Sequence, residues 1–202
     1  VLDVKCGNGA FMARQEDAEA LARSLVEVAN GAGVRTAALL TDMNEPLADA
    51  AGNAVEVANA VSFLRGEKAG TRLDAVTFAL AAEMLVQAGV FATHDAAEAA
   101  ARKVLANGTA ADVFARMVHA LGGPADFMEK PEAYLVRAPV ILPVPARASG
   151  FLSACETRDV GLAVLELGGG RKRPQDDIDH RVGFTDLLPL GTRVEKGQPF
   201  AF

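Results

Sequence analysis

Along the first half of the chain, short apolar runs alternate with longer stretches in which apolar residues recur every three or four positions. Continuous or alternating apolar runs favour strands and the three-to-four period favours helices. The alternation therefore predicts crossover units, an α/β fold in which helices cover part of a mainly parallel sheet. Val1-Leu2-Asp3-Val4 reads as a strand and Cys6-Gly7-Asn8-Gly9 as the loop that leaves it. In the helix that follows, Ala18, Leu21, Leu25 and Val28 form the apolar face, and Glu16, Asp17 and Glu19 sit near the electropositive first turn. Asn30-Gly31-Ala32-Gly33 ends that helix, residues 34–41 read as the next strand, and Thr41-Asp42-Met43-Asn44-Glu45-Pro46 as a polar turn off its carboxyl end. Open α/β sheets bind ligands at that edge.

Helical periodicity then dominates, with segments expected near 53–65, 72–88, 94–106 and 109–121 and punctuation by Gly66, Gly70, Gly89, Asn107-Gly108 and Gly122-Gly123-Pro124. Thr93 or Asp95 is placed to cap the third helix and Thr109 the fourth, because each offers a side-chain oxygen just before a periodic run. Beyond Pro131 the pattern changes. Pro139, Pro143 and Pro145 break helical backbone while Val136, Val140, Ile141 and Val144 favour extended chain. Residues 1–130 are thus expected to form a central α/β domain and residues 131–202 a β-rich C-terminal domain. Gly150-Phe151-Leu152-Ser153-Ala154 and the run from Gly161 to Leu167 read as strands, or as a short helix and a strand. After them comes the glycine-rich loop Gly168-Gly169-Gly170-Arg171-Lys172-Arg173-Pro174-Gln175-Asp176-Asp177 with its basic run at 171–173.

Composition narrows the class. Half the residues are apolar and 23% charged, the profile of a globular protein with a substantial core. The formal charge is −6 and the basic residues are dispersed, which argues against nucleic acid as a partner. No apolar run approaches the roughly 18–20 residues that cross a bilayer, and no leader pattern opens the chain, so a cytoplasmic location without membrane contact is expected. Cys6 and Cys155 make neither a disulfide framework nor a metal spacing and are expected as buried thiols. His94, His119 and His180 have no partner at metal spacing and no adjacent nucleophile. Residue 1 stands inside a strand-like run and residues 198–202 stop inside an apolar one, so the chain reads as part of a longer protein lacking its N-terminal part and extreme C-terminus.

The segment from Val1 to Met12 is strand, glycine loop and helix start, an arrangement that can aim backbone N–H groups at an anion or simply turn the chain at Gly7 and Gly9. Together with Asn30-Gly31-Ala32-Gly33-Val34-Arg35-Thr36, Leu40-Thr41-Asp42-Met43-Asn44, Gly52-Asn53-Ala54-Val55-Glu56-Val57, Gly168-Gly169-Gly170-Arg171 and Val182-Gly183-Phe184-Thr185-Asp186, it resembles the thymidine phosphorylase, or pyrimidine-nucleoside phosphorylase, family. The order and spacing agree over essentially the whole chain.

That resemblance implies a homodimeric glycosyltransferase of pyrimidine nucleoside salvage, with phosphate as co-substrate and no organic cofactor. It would convert thymidine and phosphate to thymine and 2-deoxyribose 1-phosphate. Phe11 falls where the family sets an apolar side chain against the pyrimidine ring; read alone, it is an ordinary core residue at a strand-to-helix junction. Lys5 faces either the cleft or a carboxylate such as Asp3 or Asp42. Arg171 and Lys172 lie in a segment that in the family orders over the cleft, and they would approach phosphate or form a solvated basic loop. In some relatives a monovalent cation is held by backbone carbonyls matching Leu47 and Ala50 and by a carboxylate nine residues on, where this chain has Asn59. The family's phosphate loop and pyrimidine-binding cations precede the segment matching Val1, so no catalytic residue is assigned and the isolated chain is expected to be inactive.

Two competing readings remain. Gly191-Thr192-Arg193-Val194-Glu195-Lys196-Gly197-Gln198-Pro199-Phe200-Ala201 follows the hairpin pattern of biotinyl- and lipoyl-type carrier domains, and the phosphorylases share this barrel-sandwich pattern without the modified lysine. An anthranilate-type phosphoribosyltransferase is the other, against which stands its usual lack of a C-terminal β unit.

Overall fold

The computed structural model describes residues Val1–Phe202. In chain order the first elements are β1 (Leu2–Cys6), α1 (Gln15–Gly31), β2 (Ala38–Asp42), β3 (Ala51–Gly52), α2 (Asn53–Leu64), α3 (Arg72–Gln87), α4 (His94–Ala106) and α5 (Thr109–Ala120). They are followed by α6 (Pro131–Tyr134), β4 (Val144–Pro145), β5 (Gly150–Phe151), α7 (Thr157–Val164), a π-helical turn (Leu165–Gly169), β6 (Gly183–Phe184), β7 (Arg193–Val194) and β8 (Pro199–Ala201). The result is a mixed α/β protein with a small parallel sheet, divided into two compact units.

One unit comprises Val1–Met43 and Phe63–Val113. Here β1 and β2 pair in parallel, from Leu2 opposite Ala38 to Cys6 opposite Asp42, with α1 as the crossover. Val4, Ala18 and Ala22 are buried at its centre, with Leu2, Cys6, Met12, Leu21 and Ala38 packed around them. The small alanines at four-residue spacing let α1 lie close over the strand pair. Strand β2 begins at residue 38 rather than 34 because Asn30 captures Thr36: its Oδ1 accepts the Thr36 N–H (2.9 Å) and its Nδ2 donates to the Thr36 carbonyl (3.0 Å). Those local bonds take backbone groups that a ladder would use. Helices α3 and α4 pack together with Thr71 and Thr93 as their caps, each hydroxyl accepting from an N–H three residues on. Asp95 lies inside α4, and at α5 it is Asn107 Oδ1, not the Thr109 side chain, that takes the first free N–H (3.0 Å).

The other unit comprises Asn44–Ser62 and Phe114–Phe202. Its strands are two or three residues long and pair antiparallel: β3 with β6, β4 with β8 and β5 with β7. The run from Gly161 to Leu167 is helical throughout, completing α7 and entering the π-helical turn, where Gly168 at φ +96° reverses the chain. The helix opens with Val160 N–H to Glu156 O (3.1 Å), and at its end the Leu165 N–H bonds to the Gly161 carbonyl, so these groups are used within the helix and not in an extended ladder. Residues 45–54 are stitched to residues 180–190 by Leu187 N–H to Asp49 O, Ala54 N–H to His180 O and Leu190 N–H to Glu45 Oε2 (3.0, 2.9 and 2.6 Å).

Candidate functional site

At the carboxyl end of β1 and β2, side chains two apart on one strand share a face with the residue opposite them on the next. Asp3, Lys5 and Thr41 meet there. Lys5 Nζ pairs with Asp3 Oδ2 (2.7 Å) and donates to Thr41 Oγ1 (2.9 Å), while the Thr41 hydroxyl donates to the other Asp3 oxygen. Asp42 is engaged by Arg72, whose Nη2 donates to the Asp42 carbonyl (2.8 Å) and lies 3.5 Å from its carboxylate. The glycine loop that follows β1 turns on Gly7, at φ +127°. Its amides are directed inward: Gly7 N–H to Met12 O (3.2 Å), Gly9 N–H to Met43 O (3.1 Å) and Ala10 N–H to Gly7 O (3.0 Å). These donors hold the loop to the sheet edge and are not spare for an anion. Phe11 is not a core residue. It is 104% exposed.

The basic loop belongs to the second unit and is folded around one carboxylate. Asp176 Oδ2 accepts the N–H groups of Lys172 (3.2 Å) and Arg173 (2.9 Å), and Oδ1 accepts Arg173 Nε (3.0 Å) and pairs with its Nη2 (3.0 Å). Arg171 Nε donates to the Asp176 carbonyl (3.1 Å), and Lys172 Nζ reaches Glu166 (2.5 Å). The neck of the loop is closed by Asp179 N–H to Gly168 O (2.9 Å) and by Asn53 Nδ2 to Gly169 O (3.0 Å). Hydrogen bonds from the Arg181 guanidinium and backbone hold the Asp179 carboxyl down at about 2. The sequence shows Asp176 only as a member of the loop and Asn53 only as a member of a motif, with no role for either; the one available signal was an aspartate three positions after the basic run.

Asn59 is buried on α2, its Nδ2 donating to the Asp49 carboxylate. Its Oδ1 is a buried acceptor without a hydrogen-bond partner. Ala50 is buried nearby in sequence and Leu47 is partly covered. His94 pairs with Glu83 (2.6 Å), and His119 Nδ1 lies 3.3 Å from the Gly123 carbonyl. Cys6 and Cys155 are free and half-buried rather than fully buried, and burial pushes the Cys155 thiol up. No helix is long and apolar enough to cross a membrane.

Two family models match the chain: "Glycosyl transferase family, a/b domain" over residues 1–111 and "Pyrimidine nucleoside phosphorylase C-terminal domain" over residues 151–202. Similar curated proteins are the thymidine phosphorylases of Rhizobium meliloti (67% identical over 202 residues), Agrobacterium fabrum (62% over 201) and Burkholderia lata (53% over 204). Each alignment covers 100% of this chain and 46% of the relative, so the chain spans about half the length of the curated relatives it matches. The hairpin at residues 191–201 lies inside the phosphorylase C-terminal match, so the carrier reading is not favoured.

Proposed function

The chain belongs to the glycosyl transferase family whose α/β domain it matches, and from that premise we propose that the full-length protein is a thymidine phosphorylase. The observation that carries the reading is the unbroken likeness to thymidine phosphorylases over the whole chain. A phosphate oxygen attacks the anomeric carbon of a pyrimidine 2-deoxyribonucleoside, the glycosidic C–N bond breaks, and the base leaves with the bonding pair and takes up a proton. The products are thymine and 2-deoxyribose 1-phosphate, and no covalent enzyme intermediate is needed. Differential stabilisation of the anionic leaving base is what such a site must provide.

Phe11 supplies one flat apolar wall for the pyrimidine, and its full exposure leaves a ring face open to a base. Lys5, held by Asp3 and Thr41, keeps a positive charge at the strand ends without needing a substrate carboxylate. Arg171 and Lys172 approach phosphate. Inorganic phosphate is the co-substrate and no organic cofactor takes part. The working protein is a cytoplasmic homodimer, and its C-terminal β unit is of barrel-sandwich type. For a monovalent cation at the carbonyls of Leu47 and Ala50, Asn59 stands where relatives have a carboxylate; its orphaned Oδ1 is a neutral acceptor and lacks the charge that carboxylate would bring.

The test is phosphate-dependent release of thymine from thymidine by the full-length protein, with uridine, cytidine and a phosphate-free control alongside. Release that needs phosphate supports the reading. No release from any nucleoside overturns it.

A further inference from the structure

We infer that this protein does without the monovalent cation its resemblance implies, and that a direct amide–carboxylate contact between Asn59 and Asp49 makes the link the ion would otherwise make. An ion held by the carbonyls of Leu47 and Ala50 and by a carboxylate at position 59 would tie α2 to the stretch that precedes β3. In this chain the two are tied directly. Asn59 on α2 is 7% exposed, and its Nδ2 donates to Asp49 Oδ1. Asp49 is in turn anchored through its backbone, where its carbonyl accepts the Leu187 N–H (3.0 Å). Charge favours the exchange. A carboxylate at position 59 would stand within hydrogen-bond reach of the Asp49 carboxylate, a like-charge pair that a cation beside it would have to offset. The amide removes one of the two charges and sets an N–H where the repulsion would be, so the Asp49 oxygen is met from within the chain. Asn59 Oδ1 stays a buried acceptor without a hydrogen-bond partner, but it is neutral, and one neutral oxygen does little to offset the desolvation of an ion. The donor set therefore suits a direct contact and not a cation.

Rubidium, a potassium substitute of nearly the same size, gives the direct test. Full-length protein in choline chloride, equilibrated with rubidium chloride and followed by equilibrium dialysis, should show no saturable uptake. Its melting temperature should be the same in choline, sodium and potassium chloride at matched ionic strength. Asn59→Glu returns the like-charge pair and should create the missing dependence: the variant melts below the natural protein in choline and is raised by potassium with a saturable midpoint. Asp49→Ala removes the contact and should lower the melting temperature equally in choline and potassium. Saturable rubidium uptake by the natural protein, or its stabilisation by potassium over choline, overturns the inference. So does an Asn59→Glu variant indifferent to the cation, which would mean that the carbonyls offer no site to restore, or an Asp49→Ala variant that melts like the natural protein, which would mean that the contact links nothing. Uptake and melting need no turnover, so these outcomes stand whether or not the protein cleaves thymidine.

Discussion

Gly52 and Gly183 face each other where β3 meets β6, and both hold φ values closed to other residues, +143° and +154°. A Cβ on Gly52 would lie 2.6 Å from the Val182 carbonyl oxygen and 2.9 Å from the Gly183 Cα, and a Cβ on Gly183 would strike the Ala51 carbonyl. Gly33 has a positive φ too, but open space around it. Gly33→Ala is therefore expected to cost about 1 kcal/mol, the left-handed penalty alone, and Gly52→Ala or Gly183→Ala about 3 kcal/mol or more, since strain and collision add. Chemical denaturation of the three variants checks the ranking; equal losses would mean that the strand contact is not tight. Asn59 allows a second test. Its amide nitrogen serves the Asp49 carboxylate, so Asn59→Asp sets two carboxylates against each other. The variant should melt below the natural protein in choline chloride and recover part of the gap in potassium chloride; a gap indifferent to the cation would rule out an ion there. At this scale the sequence showed the glycines only as members of motifs and Asn59 only as the residue standing where relatives have a carboxylate. Their partners lie too far along the chain for any local pattern to name them.

Between elements, the contact best explained by its side chains is that of α3 with α4. Asp74 is buried in the first turn of α3, and Arg102 on α4 reaches it (3.0 Å) while its guanidinium carbon lies 4.0 Å from the centre of the Phe78 ring. Arg102 also pairs with Glu98 one turn back on its own helix (2.8 Å), an exposed contact of the kind that contributes little. The buried partner should dominate. Arg102→Met keeps cover over the ring but strands the buried carboxylate, so thermal melting should fall clearly for Arg102→Met and hardly at all for Glu98→Ala. Similar losses for both would mean that Asp74 is rehydrated without cost. The four long helices after residue 52 were legible to within a residue or two, because glycines punctuate them and period alone fixes their interiors. The start of β2 and the helical 161–167 segment were not, since the first depends on an asparagine reaching six residues ahead and the second on the absence of a strand partner.

Across the molecule, residues 44–62 fold with residues 114–202 although residues 63–113 of the first unit come between them in the chain, and the sequence has no periodic signal for such a return. What carries it is a row of single hydrogen bonds whose most distant member in sequence is Glu45 Oε2 to the Leu190 N–H (2.6 Å), 145 positions apart. A carboxylate accepting a backbone N–H is a stronger tie than the neutral bonds at Asp49 and Ala54, and it fixes the turn that leads into β7. Glu45→Ala should therefore speed amide hydrogen exchange at residues 187–194 and around β3, because the opening of one end of the row lowers the local cost of opening the rest. The paired amides of β1 and β2 should keep their protection, their ladder and its cluster of Val4, Ala18 and Ala22 being complete within the other unit. Uniform acceleration over both sets would show that the two units open as one body, and unchanged exchange at residues 187–194 would show that the antiparallel pairs alone hold the return segment in place.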